Sequence, residues 1–155
     1  MTPSPFFDES SSRQFNQACY QGRSSEALDL LSRGADPAWT GESGKTALHF
    51  ASMGGSGPLC GYLAERHPEC LGARDHAGMT PLHLACRNSK LEAALALRRA
   101  GATLDARDDF GRMPLECCSD PALRDELERL DASINLGEFA SPEAPGAFDL
   151  SRSFF

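Results

Sequence analysis

A chain of 155 residues with 41% hydrophobic and 24% charged residues has the composition of one soluble domain or one short array. A net charge of −7 argues against nucleic acid, whose backbone rewards clustered Lys and Arg. No apolar run approaches membrane-spanning length and the N-terminus lacks the basic-then-apolar order of a signal peptide, so no membrane partner and a cytoplasmic or other reducing compartment are expected.

Residues 1–7 form a polar, Pro/Ser-rich arm carrying the apolar pair Phe6-Phe7. Thr2 and Ser4 precede prolines there, and Ser141 does so near the other end, a dipeptide too common to mark a phosphorylation site by itself. A first helix is expected around Arg13 to Gln21; it carries Asn16 and Gln17 where later helices are apolar, as suits a terminal unit with one side in water. A second runs from Ser25 to Arg33 and stops at Gly34-Ala35-Asp36-Pro37. Trp39, the single tryptophan, is either core lining or an exposed anchor, and partial burial is the favoured reading.

Gly41-Glu42-Ser43-Gly44-Lys45-Thr46 resembles the end of a phosphate-binding loop, but the motif needs a glycine where Trp39 stands, and it should follow a buried strand. Nucleotide binding is not expected. The next helix pair is interrupted by Gly54-Gly55-Ser56-Gly57-Pro58 and contains Gly61, which makes it the softest part of the chain.

Asp75 to Arg107 is the most regular stretch. A tight turn, Asp75-His76-Ala77-Gly78, leads into Thr80-Pro81, a helix cap followed by a first-turn proline. Leu91, Ala94, Leu95 and Leu97 then sit at helical spacing, and Gly101 lies just past their helix. After Asp109-Phe110-Gly111-Arg112-Met113-Pro114-Leu115 the pattern shortens, and Asp120-Pro121 opens a last helix with Leu123, Leu127 and Leu130 on one face and charges elsewhere. Residues 132–155 show no helical period; Phe139, Phe148, Leu150, Phe154 and Phe155 mark an extended aromatic arm that docks on its own stack or on a partner.

These pieces repeat. Thr46-Ala47-Leu48-His49-Phe50-Ala51 recurs 34 residues later as Thr80-Pro81-Leu82-His83-Leu84-Ala85, and 33 residues after that as Met113-Pro114-Leu115-Glu116-Cys117-Cys118. Phe15-Asn16-Gln17-Ala18 lies one further period upstream. With this period and the T-P-L-H box, the chain resembles the ankyrin-repeat family over roughly Asp8 to Asp131. The resemblance implies an all-α solenoid of paired antiparallel helices with β-turn or hairpin fingers, in repeats of about 8–40, 41–74, 75–107 and 108–131.

It also implies a non-catalytic interaction module, adaptor or small subunit of a larger complex, whose partner is another protein. The stretch RRAGATLDARDDFGRMPL is similar to the small ankyrin inhibitors of cyclin-dependent kinases, so a kinase inhibitor or regulator is the alternative. Transferred position by position, the finger tips supply Lys45, His76, Met79, Asp109, Phe110 and Arg112, and the first helices supply Tyr20, Met53, Arg87 and Asn88. Aromatic, Met and Arg side chains are the types that anchor interfaces, and Phe110 is the foremost of them. Phe148, Phe154 and Phe155 complete the protein-binding set as anchors in the arm.

No catalytic, cofactor or metal site is expected. His49 and His83 hold the family's structural histidine position, which Glu116 takes in the fourth unit. His67/Cys70 and His83/Cys86 have metal-like local spacing, but the pairs fall on different sides of the unit and zinc needs four converging ligands. The six cysteines read as reduced small hydrophobes. The chain is not expected to be an obligate homo-oligomer.

Overall fold

The computed structural model describes residues 9–137. In it, helices α1 (Glu9–Gln21) and α2 (Ser24–Ser32) form the first pair, α3 (Ala47–Gly54) and α4 (Gly57–Arg66) the second, and α5 (Pro81–Arg87) and α6 (Leu91–Ala100) the third. The fourth unit replaces its first helix by a 3-10 turn, Pro114–Cys117, and ends in α7 (Pro121–Gly137). No strand occurs among the described residues, so the fingers are turns rather than paired strands.

The Thr-x-x-His box starts α3 and α5. Thr46 and Thr80 take extended backbone angles and accept from the N–H of His49 and His83, while each imidazole turns back to the threonine's own N–H. Two amides left over at a helix start are satisfied within four residues. Thr46 is engaged as this cap. The fourth unit cannot form the same helix. Pro121 biases Asp120 away from helical angles, and Cys118 is already extended at φ −73°, ψ 121°.

First helices stack in the order α1, α3, α5 and the 3-10 turn, and α6 packs between α4 and α7. Phe15, Leu48, Leu82, Leu97, Leu123 and Leu127 are fully buried, each contributing about 1.5–3 kcal/mol from apolar burial. Small residues on the stacking stripe (Cys19, Ala51, Ala85, Cys86) let the first helices approach closely. Gly54 is the tightest such point: a Cβ there would stand 2.0 Å from the Tyr20 carbonyl oxygen. That glycine is therefore required by packing, whereas Gly61 has open space around it.

Two expectations need correction. Asn16 does not face water; it is 4% exposed on the inner side of α1, because α3 and the first finger lie over it. The last helix also runs through Gly137 instead of yielding to an arm at Ala132. Ile134 continues the series Leu123, Leu127, Leu130 at helical spacing, and no proline interrupts before Pro142.

Candidate interaction surface

The second and third fingers are built by the same device. Asp75 Oδ1 accepts from the N–H of Ala77 and of Met79, both at 2.9 Å, and Asp108 Oδ1 accepts from Phe110 and Arg112 at the same distance. Gly78 and Gly111 supply the left-handed step, at φ 76° and 78°. Burial alone would raise both carboxyls. The backbone N–H groups of Met79 and Ala77, with Lys45, outweigh it at Asp75, and those of Arg112 and Phe110, with the Arg112 guanidinium, outweigh it at Asp108. Both acids therefore titrate below their ordinary value.

Fingers are fastened to one another. Asp109 N–H donates to the Ala77 carbonyl at 3.0 Å, and Gly78 lies so close to Asp109 that a Cβ would clash with it. Gly44 meets the ring of His76 in the same way. Beneath them, His49 Nε2 reaches the Met79 carbonyl at 2.9 Å and His83 Nε2 the Arg112 carbonyl at 2.8 Å. Each Nδ1 accepts a backbone N–H, so the proton resides on Nε2 and that nitrogen is the donor. The two histidines are structural ties between neighbouring units.

His83, Asp108 and Cys117 place one ligand-type atom each within 4.8 Å of one another. His83 Nδ1 is already taken by Thr80 at the start of α5, and His83 Nε2 and both Asp108 oxygens by the third finger. His83 and Asp108 are thereby the clamp of the third finger.

On this frame Phe110 projects at the tip of the third finger, 75% exposed. The Arg112 guanidinium lies 5.0 Å from its ring centroid and is held at the other end by Asp108 Oδ2 at 3.0 Å. Asp109 and His76 are exposed beside it. Tyr20, Arg87 and Asn88 are exposed at the ends of α1 and α5, and Met53 is half-buried at the end of α3. Arg87 Nη1 lies 3.9 Å from Met79 Sδ, and Asn88 Nδ2 donates to the Leu84 carbonyl at 2.8 Å.

Met79 is the misplaced member. It is 2% exposed, because the turn that offers its carbonyl to His49 directs its side chain inward against Arg87. Lys45 is also less available than a tip residue, with Nζ 3.4 Å from the buried Asp75 carboxylate. Phe148, Phe154 and Phe155, like Phe6, Phe7, Thr2, Ser4 and Ser141, lie outside the described residues.

Sequence reasoning passed over a groove at the first finger. It is lined by Arg13, Asn16, Tyr20, Trp39, Glu42 and Phe50, among others, with a cavity volume of about 390 Å³. Trp39 is half-buried in its wall, as favoured above. The signal was present in the single tryptophan and in Asn16, an unexpected polar residue on an inner helix face.

A stack of helix pairs with clamped turn fingers and an exposed aromatic tip defines a protein-binding repeat array. Residues 15–108 match the family described as "Ankyrin repeats (3 copies)", and the chain belongs to the ankyrin-repeat family. It is similar to human cyclin-dependent kinase 4 inhibitor B, 34% identical over 110 residues that cover 70% of this chain and 78% of the relative. Human cyclin-dependent kinase inhibitor 2A is 33% identical over 118 residues, 75% of this chain and 74% of that one. Human protein phosphatase 1 regulatory subunit 27 is 36% identical over 86 residues, covering 56% and 54% respectively.

Among the described residues no helix is long and apolar enough to cross a membrane, and all six cysteines are free. Burial pushes the Cys19 thiol up to about 12 and those of Cys60 and Cys70 up to about 11.

Proposed function

We propose that this chain is a non-catalytic regulator that binds a protein kinase through its finger tips and the adjoining ends of its first helices, and inhibits it stoichiometrically. The observation that carries the reading is Phe110, a fully presented aromatic whose orientation is fixed by Arg112 and Asp108 on the third finger. A pre-organised ring gives up little freedom on binding, which favours it as a hot spot. Similarity to two inhibitors of cyclin-dependent kinases over most of the chain supports a kinase as the target. Tyr20, Met53, His76, Arg87, Asn88, Asp109 and Arg112 complete the proposed surface. Lys45 and Met79 serve it indirectly, by bracing the fingers.

The test is a cyclin-dependent kinase activity assay with the full chain added. Inhibition at micromolar concentration, weakened at least tenfold by Phe110→Ala, is the expected result. Full kinase activity with the wild-type chain present removes the kinase reading. The adaptor or complex-subunit reading then takes its place, and a pull-down comparing wild type with Phe110→Ala tests it.

A further inference from the structure

The sequence holds 15 Lys and Arg residues, and among them only Lys45 and Lys90 are lysines. A guanidinium stays charged at every ordinary pH, whereas a lysine ε-amine is a nucleophile and the usual acceptor of acyl groups. Acyl transfer to the basic side chains of this sequence therefore has two addresses. The fold treats them differently.

Lys45 is committed. Its Nζ stands 3.4 Å from Asp75 Oδ2, with 24% of the lysine side chain and 2% of the aspartate side chain exposed. The same carboxyl closes the second finger through the N–H groups of Ala77 and Met79. An acyl donor would have to draw the amine off the finger. The amide left behind would strand a buried carboxylate without its cation, a costly arrangement.

Lys90 carries no such tie. Its backbone is fixed in the turn between α5 and α6, donating to the Ala85 carbonyl and accepting from the Ala94 N–H, each at 2.9 Å. Its stem lies across Gly55, the left-handed cap of α3, where a Cβ would stand 2.8 Å from Lys90 Cδ. The missing side chain makes room for the methylenes, and Lys90 is half-buried as a result. Among the described residues Nζ has no hydrogen-bond or ion-pair partner. The amine is held out on a seated stem with no contact to give up.

We propose that Lys90 is the acceptor lysine of this chain for a short-chain acyl thioester, and that its acylation leaves the fold intact. The uncharged ε-amine attacks the thioester carbonyl. An N–C bond forms, the C–S bond breaks, and the sulfur leaves as a thiol with the proton that the amine gives up. The product is a neutral amide, so the α5–α6 turn loses its cation next to Asn88 and Arg87 while no buried charge loses a partner. The site stands independently of the kinase reading.

The experiment treats the native full chain with S-acetyl-N-acetylcysteamine to low conversion and counts acetyl-lysine at both positions by peptide mass spectrometry. The same chain unfolded in guanidinium chloride is the reference. Lys90 should react about tenfold faster than Lys45 in the native protein, and the two should react alike in the unfolded one. Asp75→Asn should speed Lys45 and leave Lys90 unchanged. Lys45→Arg, acetylated at Lys90, should melt together with its untreated sample. Equal native rates overturn the proposal, and so does a preference for Lys90 that survives unfolding, because local sequence and not the fold would then set it. A Lys45 rate unmoved by Asp75→Asn, or a lowered melting midpoint after acetylation of Lys45→Arg, counts against it in the same way.

Discussion

His49 Nε2 donates to the Met79 carbonyl at 2.9 Å, joining the start of α3 to the finger of the following repeat. The same ring accepts the Thr46 N–H on Nδ1, so it serves both bonds only when neutral. Burial lowers its pKa, ahead of opposing contributions from the Met79 carbonyl and Asp75. A base with a depressed folded pKa takes up protons in the unfolded chain first. Stability is therefore complete above the unfolded value of about 6.5 and declines as pH falls below it toward the folded pKa. We expect urea midpoints to drop between about pH 7.5 and about pH 5.5 in the wild type. His49→Gln should be less stable at the upper pH, by about 2–4 kcal/mol, with a flatter profile across that window. Equal slopes for the two proteins would place the acid sensitivity elsewhere.

Asp75 titrates in a lower window. Its folded pKa is depressed, so the stability it contributes is present above about pH 4 and is lost as pH falls through the folded value. Asp75→Asn keeps one acceptor for the finger but removes the partner of Lys45. The variant should lose part of the acid dependence below about pH 4 in the same urea series, the share of Asp108 remaining, while retaining the step near neutrality that belongs to His49.

Glycines in the second repeat divide by their surroundings. Gly61 lies inside α4 with nothing near its missing side chain, so Gly61→Ala should stabilise the fold by about 0.5–1 kcal/mol. Gly54→Ala should destabilise by about 1–3 kcal/mol, because the added carbon meets the Tyr20 carbonyl and forces α1 and α3 apart. Thermal unfolding of the two variants checks both signs. A stabilised Gly54→Ala would show that the helices separate freely.

Phe110→Ala should leave stability within about 0.5 kcal/mol, since the ring is exposed, yet weaken binding of the proposed kinase target by about 2 kcal/mol. Calorimetric titration and a melting curve on the same preparation separate the two effects. An unfolded variant would mean that the tip stabilises the finger rather than a complex.

Thiol reactivity should follow burial. Burial raises the pKa of Cys86 most, with Cys118 beside it, and Cys117 is only partly covered, with Arg112 partly offsetting its rise. An aromatic disulfide reagent should modify Cys117 first in the native protein, and Cys19, Cys60 and Cys86 at the rate of unfolding. Cys117→Ser should abolish the fast phase.

Much of the architecture was legible from residues alone, for local reasons. The Thr-x-x-His boxes cap helices within four residues, and Asp75 and Asp108 close their turns within five. Such contacts recur wherever the residues recur, so the period exposed them. Phe110 was legible too, as a large ring at a turn tip. Met79, one residue from its threonine cap, was not, because alternation in a turn does not say which side the next repeat covers. Asn16 was misread for a similar reason. A polar residue in a terminal helix normally faces water, and nothing nearby in sequence announces that α3 and the first finger close over it.

The sequence by itself determined the repeat period, the helix register and the threonine caps, since each depends on short-range hydrogen bonds and a repeated apolar pattern. Only the tertiary structure decided which of the candidate side chains are exposed and which are covered. It turned Met79 inward, drew Lys45 onto Asp75 and gathered Tyr20, Trp39 and Phe50 around Asn16. The gathering of the rings depends on how closely α1 and α3 approach, and that distance is set by Gly54, whose neighbour Tyr20 lies 34 residues earlier in the chain.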